Sequence, residues 1–309
     1  MVAFPSMRFL SAHQSPRTEV LSSRLRSTNL WNIFNPSMVS TAQGVAIVFR
    51  AGRWPGDRPF RAYYLPAANM DKPPIDLTEA YAATAVKAVS DPKLFMLEDE
   101  IWVTFNTGHL EAPNRIFMAR LHPMMSSPQE LILPERQTIE KNWALFATNG
   151  ALHAVYSVSP PIVLRARDRY SKGKISFEPL SNEVCEMQNP GWGLTLGSQL
   201  ASLDSAGSDF GVVVHRKLYW GKKRAYLGLP GRVRRDGDKY AIAFGQRYLA
   251  HSPRALLGSR IRHNPHLISC TYISGLIVED GRAILGYGIN DVEAGFAELP
   301  AVALGFEPQ

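Results

Sequence analysis

The chain has 309 residues, 45% of them hydrophobic and 20% charged, with a formal net charge of +7. These proportions exclude a disordered chain, and no stretch reaches the roughly 20 apolar residues that span a bilayer. Two isolated cysteines, Cys185 and Cys270, exclude a disulfide framework and a zinc site and read as buried thiols.

The first 30 residues lack the continuous apolar stretch of a signal peptide. They are expected to supply an outer strand that closes the last repeat of the fold. The expectation for such a chain is a soluble, cytoplasmic protein, with peripheral contact to an acidic membrane surface left open. Helical periodicity is scarce; the best helix candidate runs from Leu77 to Val89. Most apolar segments are short, rich in β-branched and aromatic residues, and bounded by Gly, Pro, Asn or Asp, which reads as many short strands.

In chain order, five polar lead segments each precede a turn and a strong strand. Asn35-Pro36-Ser37-Met38 leads into Gly44–Phe49. Asp91-Pro92-Lys93-Leu94 leads into Ile101–Phe105, and Glu140-Lys141-Asn142-Trp143 into Leu152–Ser157 by way of Thr148-Asn149-Gly150. Gly197-Ser198-Gln199-Leu200 leads into Phe210–Val214, and Tyr272-Ile273-Ser274-Gly275 into Arg282–Tyr287. Counted from Asn35 through Asp91, Asn142, Ser198 and Ser274, the steps are 56, 51, 56 and 76 residues. Repeats of this size with four strands each predict a five-bladed β-propeller, residues 1–309 forming one domain. A two-sheet sandwich with coincidental spacing is the competing architecture. The long last step holds the basic run His215–Arg235, which contains no acid, and an Arg/His-rich connection from Arg247 to His266. The basic run reads either as a solvated hairpin rim or as a phosphate-attracting wall.

The innermost strand of each blade lines the channel, so the lead residues are expected to converge there. Asn35, Asn142, Ser198, Gln199 and Ser274 pair donors with acceptors, as vicinal sugar hydroxyls require. The motifs resemble those of the β-mannoside phosphorylases and the related β-1,2-mannosyltransferases, which are five-bladed propellers. Ser90-Asp91-Pro92-Lys93 is similar to the family's blade-two acid and Asp-Pro-Arg motif, with lysine in place of arginine. Glu140–Phe146 resembles blade three, and is followed by Tyr156-Ser157 and Pro160-Pro161. Gly197-Ser198-Gln199 with Val214-His215-Arg216 resembles blade four, and Tyr287–Asp291 resembles the family's Tyr-Gly-x-x-Asp. Blade one lacks the family's Arg/Gly-rich stretch, for which Arg50-Ala51-Gly52-Arg53 is a partial substitute.

The resemblance implies a glycosyltransferase or glycoside phosphorylase acting on a glycosidic bond, with mannosyl the group expected. Its substrates are a sugar with phosphate, a sugar phosphate or a nucleotide sugar, and it requires no cofactor or metal. Asp91 is then the general acid or base. Lys141, Arg165 and His215 hold the phosphate, while Asn35, Asn142, Ser198, Gln199 and Asp291 bind sugar hydroxyls. Each residue has a structural alternative: Asp91 and Asp291 as turn caps, His215 as a core histidine, Lys141 as the partner of Glu140. Two further function classes stay open. A hydrolase needs a second carboxylate, for which Asp57, Glu111 and Asp291 are nearest, and a non-catalytic sugar-binding or protein-binding propeller needs none. Nucleic acid is not expected as a partner, since the basic run carries only Tyr219, Trp220 and Tyr226 as aromatics and no recognised module.

Overall fold

The computed structural model describes residues 6–306 except 54–59, 69–71, 110, 149, 168–172, 181–184, 189–192, 238 and 259–263. Asp57 and Asn149 therefore lie outside the described residues, as does the side chain of Cys185. The described chain is dominated by strands arranged as five successive up-and-down units. Ahead of the first unit come β1 (Met7–Phe9) and α1 (Pro16–Arg26). The first unit is β2 (Phe34–Thr41), β3 (Gly44–Ala51), β4 (Arg61–Leu65) and β5 (Ile75–Asp76), followed by the one-turn helix α2 (Leu77–Ala80). The second is β6 (Ser90–Leu97), β7 (Glu100–Asn106), β8 (Ile116–His122) and β9 (Gln129–Ile132); the third is β10 (Ala144–Thr148), β11 (Ala151–Val158), β12 (Pro161–Ala166) and β13 (Lys174–Pro179). The outer strand β14 (Cys185–Gln188) precedes the fourth unit, which is β15 (Leu194–Leu196), β16 (Ala201–Ser202), β17 (Asp209–Trp220), β18 (Lys223–Asp236) and β19 (Lys239–Phe244). After β20 (Tyr248–Ala250) and α3 (Arg254–Leu257) comes the last unit, β21 (Leu267–Glu279), β22 (Arg282–Ile289) and β23 (Glu293–Pro300).

By hydrogen bonding these units form three curled sheets among the described residues, of four, eight and eleven strands. The second and third units join edge to edge through the parallel pair β13 and β9. The fourth and last join where β18 runs parallel to β21.

Packing closes the units on one another. Successive side chains of a strand point to opposite faces, so a strand covered on both sides reads as an unbroken apolar run. In β3, Ala46 and Val48 pack with Leu94, Val103 and Phe105 of the second unit. Ile47 and Phe49 pack the other way, with Ile277, Ile284 and Phe296 of the last unit. Trp143 and Leu145 pack on Phe95 and Leu97, while Ala144 and Phe146 pack on Val212 and Val214. Val213 meets Ile273, Leu285 and Tyr287. Five apolar clusters are each shared by neighbouring units, and the fifth is shared by the last and the first.

The first strands of the first two units begin with a local break. The β2–β3 register slips between Phe34 and Ser37, and the β6–β7 register between Ser90 and Lys93. At these breaks Asn35 (φ 53°) and Asp91 (φ 49°) adopt left-handed backbone, as does Asn142 (φ 59°) just before β10. Asn and Asp tolerate that conformation better than other residues with a side chain. In the first two units the proline that follows confines the same residue and removes a donor.

Two sequence expectations are corrected here. The helix expected over Leu77–Val89 stops after Ala80, where the Thr84 hydroxyl bonds to the Tyr81 carbonyl and the chain continues as turns. The N-terminal segment does not pair as a strand with β23. Instead β1 runs parallel to β20, and the 11-residue helix α1 follows, capped by Ser15 with Thr18 and with Pro16 at its first position. The segment's contacts with β23 include the Glu298 amide bonded to the His13 carbonyl and the Gln14 side chain bonded to the Phe296 carbonyl. No helix among the described residues is long and apolar enough to cross a membrane.

Candidate functional site

A cavity of about 1420 Å³ opens where the first strands of the units meet. Asn35, Asp91, Lys141, Asn142 and Asp291 all line it, so these five predicted residues are brought together.

Asp91 is the electrostatic centre. Its Oδ1 lies 3.1 Å from Arg50 Nη1 and its Oδ2 lies 3.5 Å from Lys141 Nζ. Burial alone would push the carboxyl up, but Lys141, Arg50 and Lys93 outweigh it and hold Asp91 well below the usual carboxylate range. Lys141 thus pairs with Asp91 and not with Glu140. Lys93 is 1% exposed, and its Nζ has no hydrogen-bond partner and stands 5.2 Å from the centre of the Tyr272 ring. Burial pulls its pKa down to about 7, against the pull of Asp91.

Asp291 behaves oppositely. Burial pushes its carboxyl up, opposed by Arg50, and the nearby Asp91 charge adds to the rise. Its turn is held by Asn290, whose side chain accepts from the Cys270 amide at 2.8 Å. Both Asn290 (φ 52°) and Asp291 (φ 60°) are left-handed, and Asp291 faces the cavity. Two carboxyls in one cavity whose environments drive their pKa values apart are the usual preparation for separate proton roles.

Sequence reasoning missed several other lining groups. Glu140 is buried; its Oε1 accepts from the Tyr156 hydroxyl at 2.7 Å and from the Gln137 amide at 3.0 Å, its Oε2 lies 3.8 Å from Arg136 Nε, and burial raises its pKa. Lys217, Arg224 and Tyr226 bring the basic hairpin of β17 and β18 to the cavity wall. Lys217 is lowered by burial and by the nearby charges of Arg224 and Lys141, a direct sign of crowded cations. Glu111, a carboxylate considered for hydrolysis, also lines the cavity but is paired with Lys87 at 3.3 Å and Arg115 at 3.8 Å. The acid-free run was the signal for the hairpin. For Lys93, the signal was a lysine between Pro92 and a first strand buried on both faces.

The structure places the remaining predicted residues elsewhere. His215 is fully buried, and its Nε2 accepts from the Ile273 amide at 2.8 Å, so Nδ1 carries the hydrogen. Burial keeps the ring neutral, with its pKa well below normal. A Cβ on Gly197 would stand 2.7 Å from this ring, which is why glycine precedes Ser198. Ser198 accepts from the Val213 amide at 2.9 Å and donates to the Gln199 carbonyl. Gln199 accepts from the Leu145 amide at 2.8 Å and donates to the Trp143 carbonyl at 3.0 Å, tying the fourth unit to the third. Ser274 donates to the Pro36 carbonyl at 2.9 Å, tying the last unit to the first. Arg165 is exposed on β12 and does not line the cavity. The expected cluster of Lys141, Arg165 and His215 is therefore not formed; among the described residues Arg50, Lys87, Lys141, Lys217 and Arg224 are the lysines and arginines at the cavity.

No family model matches the sequence. No curated protein matches it either. Solved structures do match. One, described as showing that the GH130 family of mannoside phosphorylases contains glycoside hydrolases that target β-1,2-mannosidic linkages in Candida mannan, superposes with a TM-score of 0.57 at 12% identity, covering 90% of this chain and 86% of that one. A β-1,2-mannobiose phosphorylase from Listeria innocua in complex with β-1,2-mannobiose gives 0.55 at 9% identity, covering 90% and 92%. A glycosyl hydrolase from Bacteroides ovatus gives 0.51 at 12% identity, covering 90% and 87%. Across nine-tenths of its length, this chain shares the all-β fold of the mannoside phosphorylases and their hydrolase relatives.

Proposed function

We propose that the five units are the blades of a single propeller domain, and that the cavity at their centre transfers a mannosyl group between phosphate and a sugar hydroxyl. One observation carries this reading: Asp91 is held ionised between Arg50 and Lys141 in a cavity also walled by Lys217 and Arg224. Such a cavity favours a phosphate dianion beside a carboxylate that can accept a proton. In the synthetic direction, the acceptor hydroxyl attacks the anomeric carbon of a sugar 1-phosphate. Its proton passes to Asp91, directly or through a sugar hydroxyl, while the bond to the phosphate oxygen breaks and its electron pair leaves with the phosphate onto the cations. Phosphorolysis is the reverse, with a protonated Asp91 donating to the departing oxygen. A phosphate that engages Arg50 and Lys141 weakens their hold on Asp91 and so favours that protonation. Asn35 and Asn142 line the cavity and carry amides that can pair with sugar hydroxyls. The phosphorylases among the structural neighbours favour phosphate or a sugar 1-phosphate over a nucleotide sugar.

A hydrolase reading is favoured by one feature, the raised pKa of Asp291 beside the depressed Asp91. That pair could supply an acid and a base to activate water. A donor screen separates the two. Purified protein is offered sugar 1-phosphates with sugar acceptors, and mannosides with and without phosphate. The proposal expects acceptor-dependent phosphate release; sugar release from mannosides in phosphate-free buffer at an undiminished rate supports the hydrolase and rejects transfer.

A further inference from the structure

The hairpin of β17 and β18 continues beyond the cavity it walls. Its register pairs Lys217 with Tyr226, Leu218 with Ala225, Tyr219 with Arg224 and Trp220 with Lys223, and Gly221-Lys222 closes the turn. Gly221 (φ 57°) takes the left-handed first central position that a tight two-residue hairpin favours. Alternation then sorts the side chains. Lys217, Tyr219, Arg224 and Tyr226 share one face, and three of them line the cavity. Leu218 and Trp220 occupy the opposite face. The cavity-lining Arg224 pairs with Tyr219, one residue from the Trp220–Lys223 pair that ends the hairpin.

The tip is unusual in two independent ways. Leu218 is 43% exposed, Tyr219 70% and Trp220 82%, three consecutive large apolar residues that serve no core. Beside them Arg216, Lys217, Lys222, Lys223 and Arg224 lie in a stretch with no acid from Phe210 to Arg235. An aromatic and aliphatic point with cations close behind it matches the interface of an anionic bilayer. Tryptophan and tyrosine rings settle at headgroup depth, and lysines beside them meet lipid phosphates.

We propose that the tip Leu218–Lys223 docks on an anionic phospholipid bilayer. Trp220 and Leu218 enter the headgroup boundary, Lys222 and Lys223 contact the lipid phosphates, and the cavity is held beside the membrane surface. The inference goes beyond the sugar chemistry and does not depend on it.

The test is co-sedimentation of the full chain with vesicles of phosphatidylcholine alone and of phosphatidylcholine mixed with phosphatidylglycerol, with no sugar or phosphate present. Binding is expected only with phosphatidylglycerol, and it should weaken as salt rises. Lys222→Ala with Lys223→Ala should weaken it about thirtyfold, the effect of removing two cations near an anionic surface. Trp220→Ala should also weaken it, whereas Met124→Ser, at another exposed apolar residue, should not. Circular dichroism confirms that each variant is folded. The proposal is overturned if phosphatidylglycerol vesicles do not bind the protein at low salt, or if the tip variants bind like the native chain. It is equally overturned if light scattering finds a dimer that Trp220→Ala converts to a monomer while vesicles bind neither form, since the tip would then be an interface between copies.

Discussion

Replacing Asp91 with asparagine keeps the shape of the side chain and removes one negative charge from between Arg50 and Lys141. Asp91 is 12% exposed, Arg50 15% and Lys141 43%, so one partner is largely buried and the other is wet. The cations left behind face a cavity that admits water. The loss in stability is therefore that of a charge-assisted hydrogen bond, about 2 kcal/mol, well short of the cost of stranding a fully buried charge. In a chain of this size that is a fall in Tm of roughly 3 °C. Turnover falls much further, by about 10²–10⁴-fold or some 3–5 kcal/mol in the barrier, because the proton no longer has a positioned carboxylate. Phosphate binding moves the other way: with one anion gone, the same cations hold phosphate more tightly, and phosphate raises the Tm of the variant by more than that of the native chain. Thermal melting with and without phosphate, beside initial rates, reads all three effects. A folded Asp91→Asn with normal turnover refutes the role of Asp91. A loss of about 1 kcal/mol with activity intact would make the side chain a turn cap and nothing more.

The other predictions concern residues that the structure moved into or out of the site. Lys93 has a folded pKa of about 7 against 10.5 unfolded, so the unfolded chain binds more protons between those values and stability rises with pH across that window. Lys93→Met should flatten this rise and leave the protein at least as stable at neutral pH, as apolar replacements of buried charges often do; melting curves from pH 6 to about 10 test it. Arg165→Ala should leave turnover unchanged and stability within about 0.5 kcal/mol, because the side chain is exposed and away from the cavity. A tenfold loss of turnover would restore it to the site. Gln199→Leu should cost about 1–3 kcal/mol by leaving the Leu145 amide and Trp143 carbonyl without their partner, while Michaelis constants measured below the melting range stay near native; a change in sugar affinity alone would instead make Gln199 a ligand group.

What could be read from the sequence follows from which residues have one physical solution. The lead positions were legible because a left-handed residue before proline selects Asn or Asp, as at Asn35 and Asp91. The strong strands were legible because a strand covered on both faces must be apolar throughout, as β3 is. The distinction between ligand-binding and structural polar residues was not legible. The first strand of each unit leaves backbone N–H groups on its inner edge without a neighbouring strand, and those groups must be satisfied. Ser37 takes the Leu94 amide, Gln199 the Leu145 amide and His215 the Ile273 amide, while Ser198 takes the Val213 amide of β17 in the gap between its pairings with β15 and β16. Sequence alone cannot tell such a latch from a sugar contact, since both call for the same side chains. The helices misled for local reasons. Leu77, Tyr81, Val86 and Val89 are all buried in one cluster, yet their spacing leaves a single helical face after Tyr81. The helix α1 has a weak apolar stripe and is announced mainly by its Ser15–Thr18 cap.

The most direct measurement of the central claim is the phosphate dependence of cleavage of a mannosyl disaccharide by the native chain. The account predicts that bond cleavage requires inorganic phosphate and yields mannose 1-phosphate in equal amount to the released sugar, with Asp91→Asn inactive. Cleavage at the same rate without phosphate, with free mannose as the only new product, would contradict it.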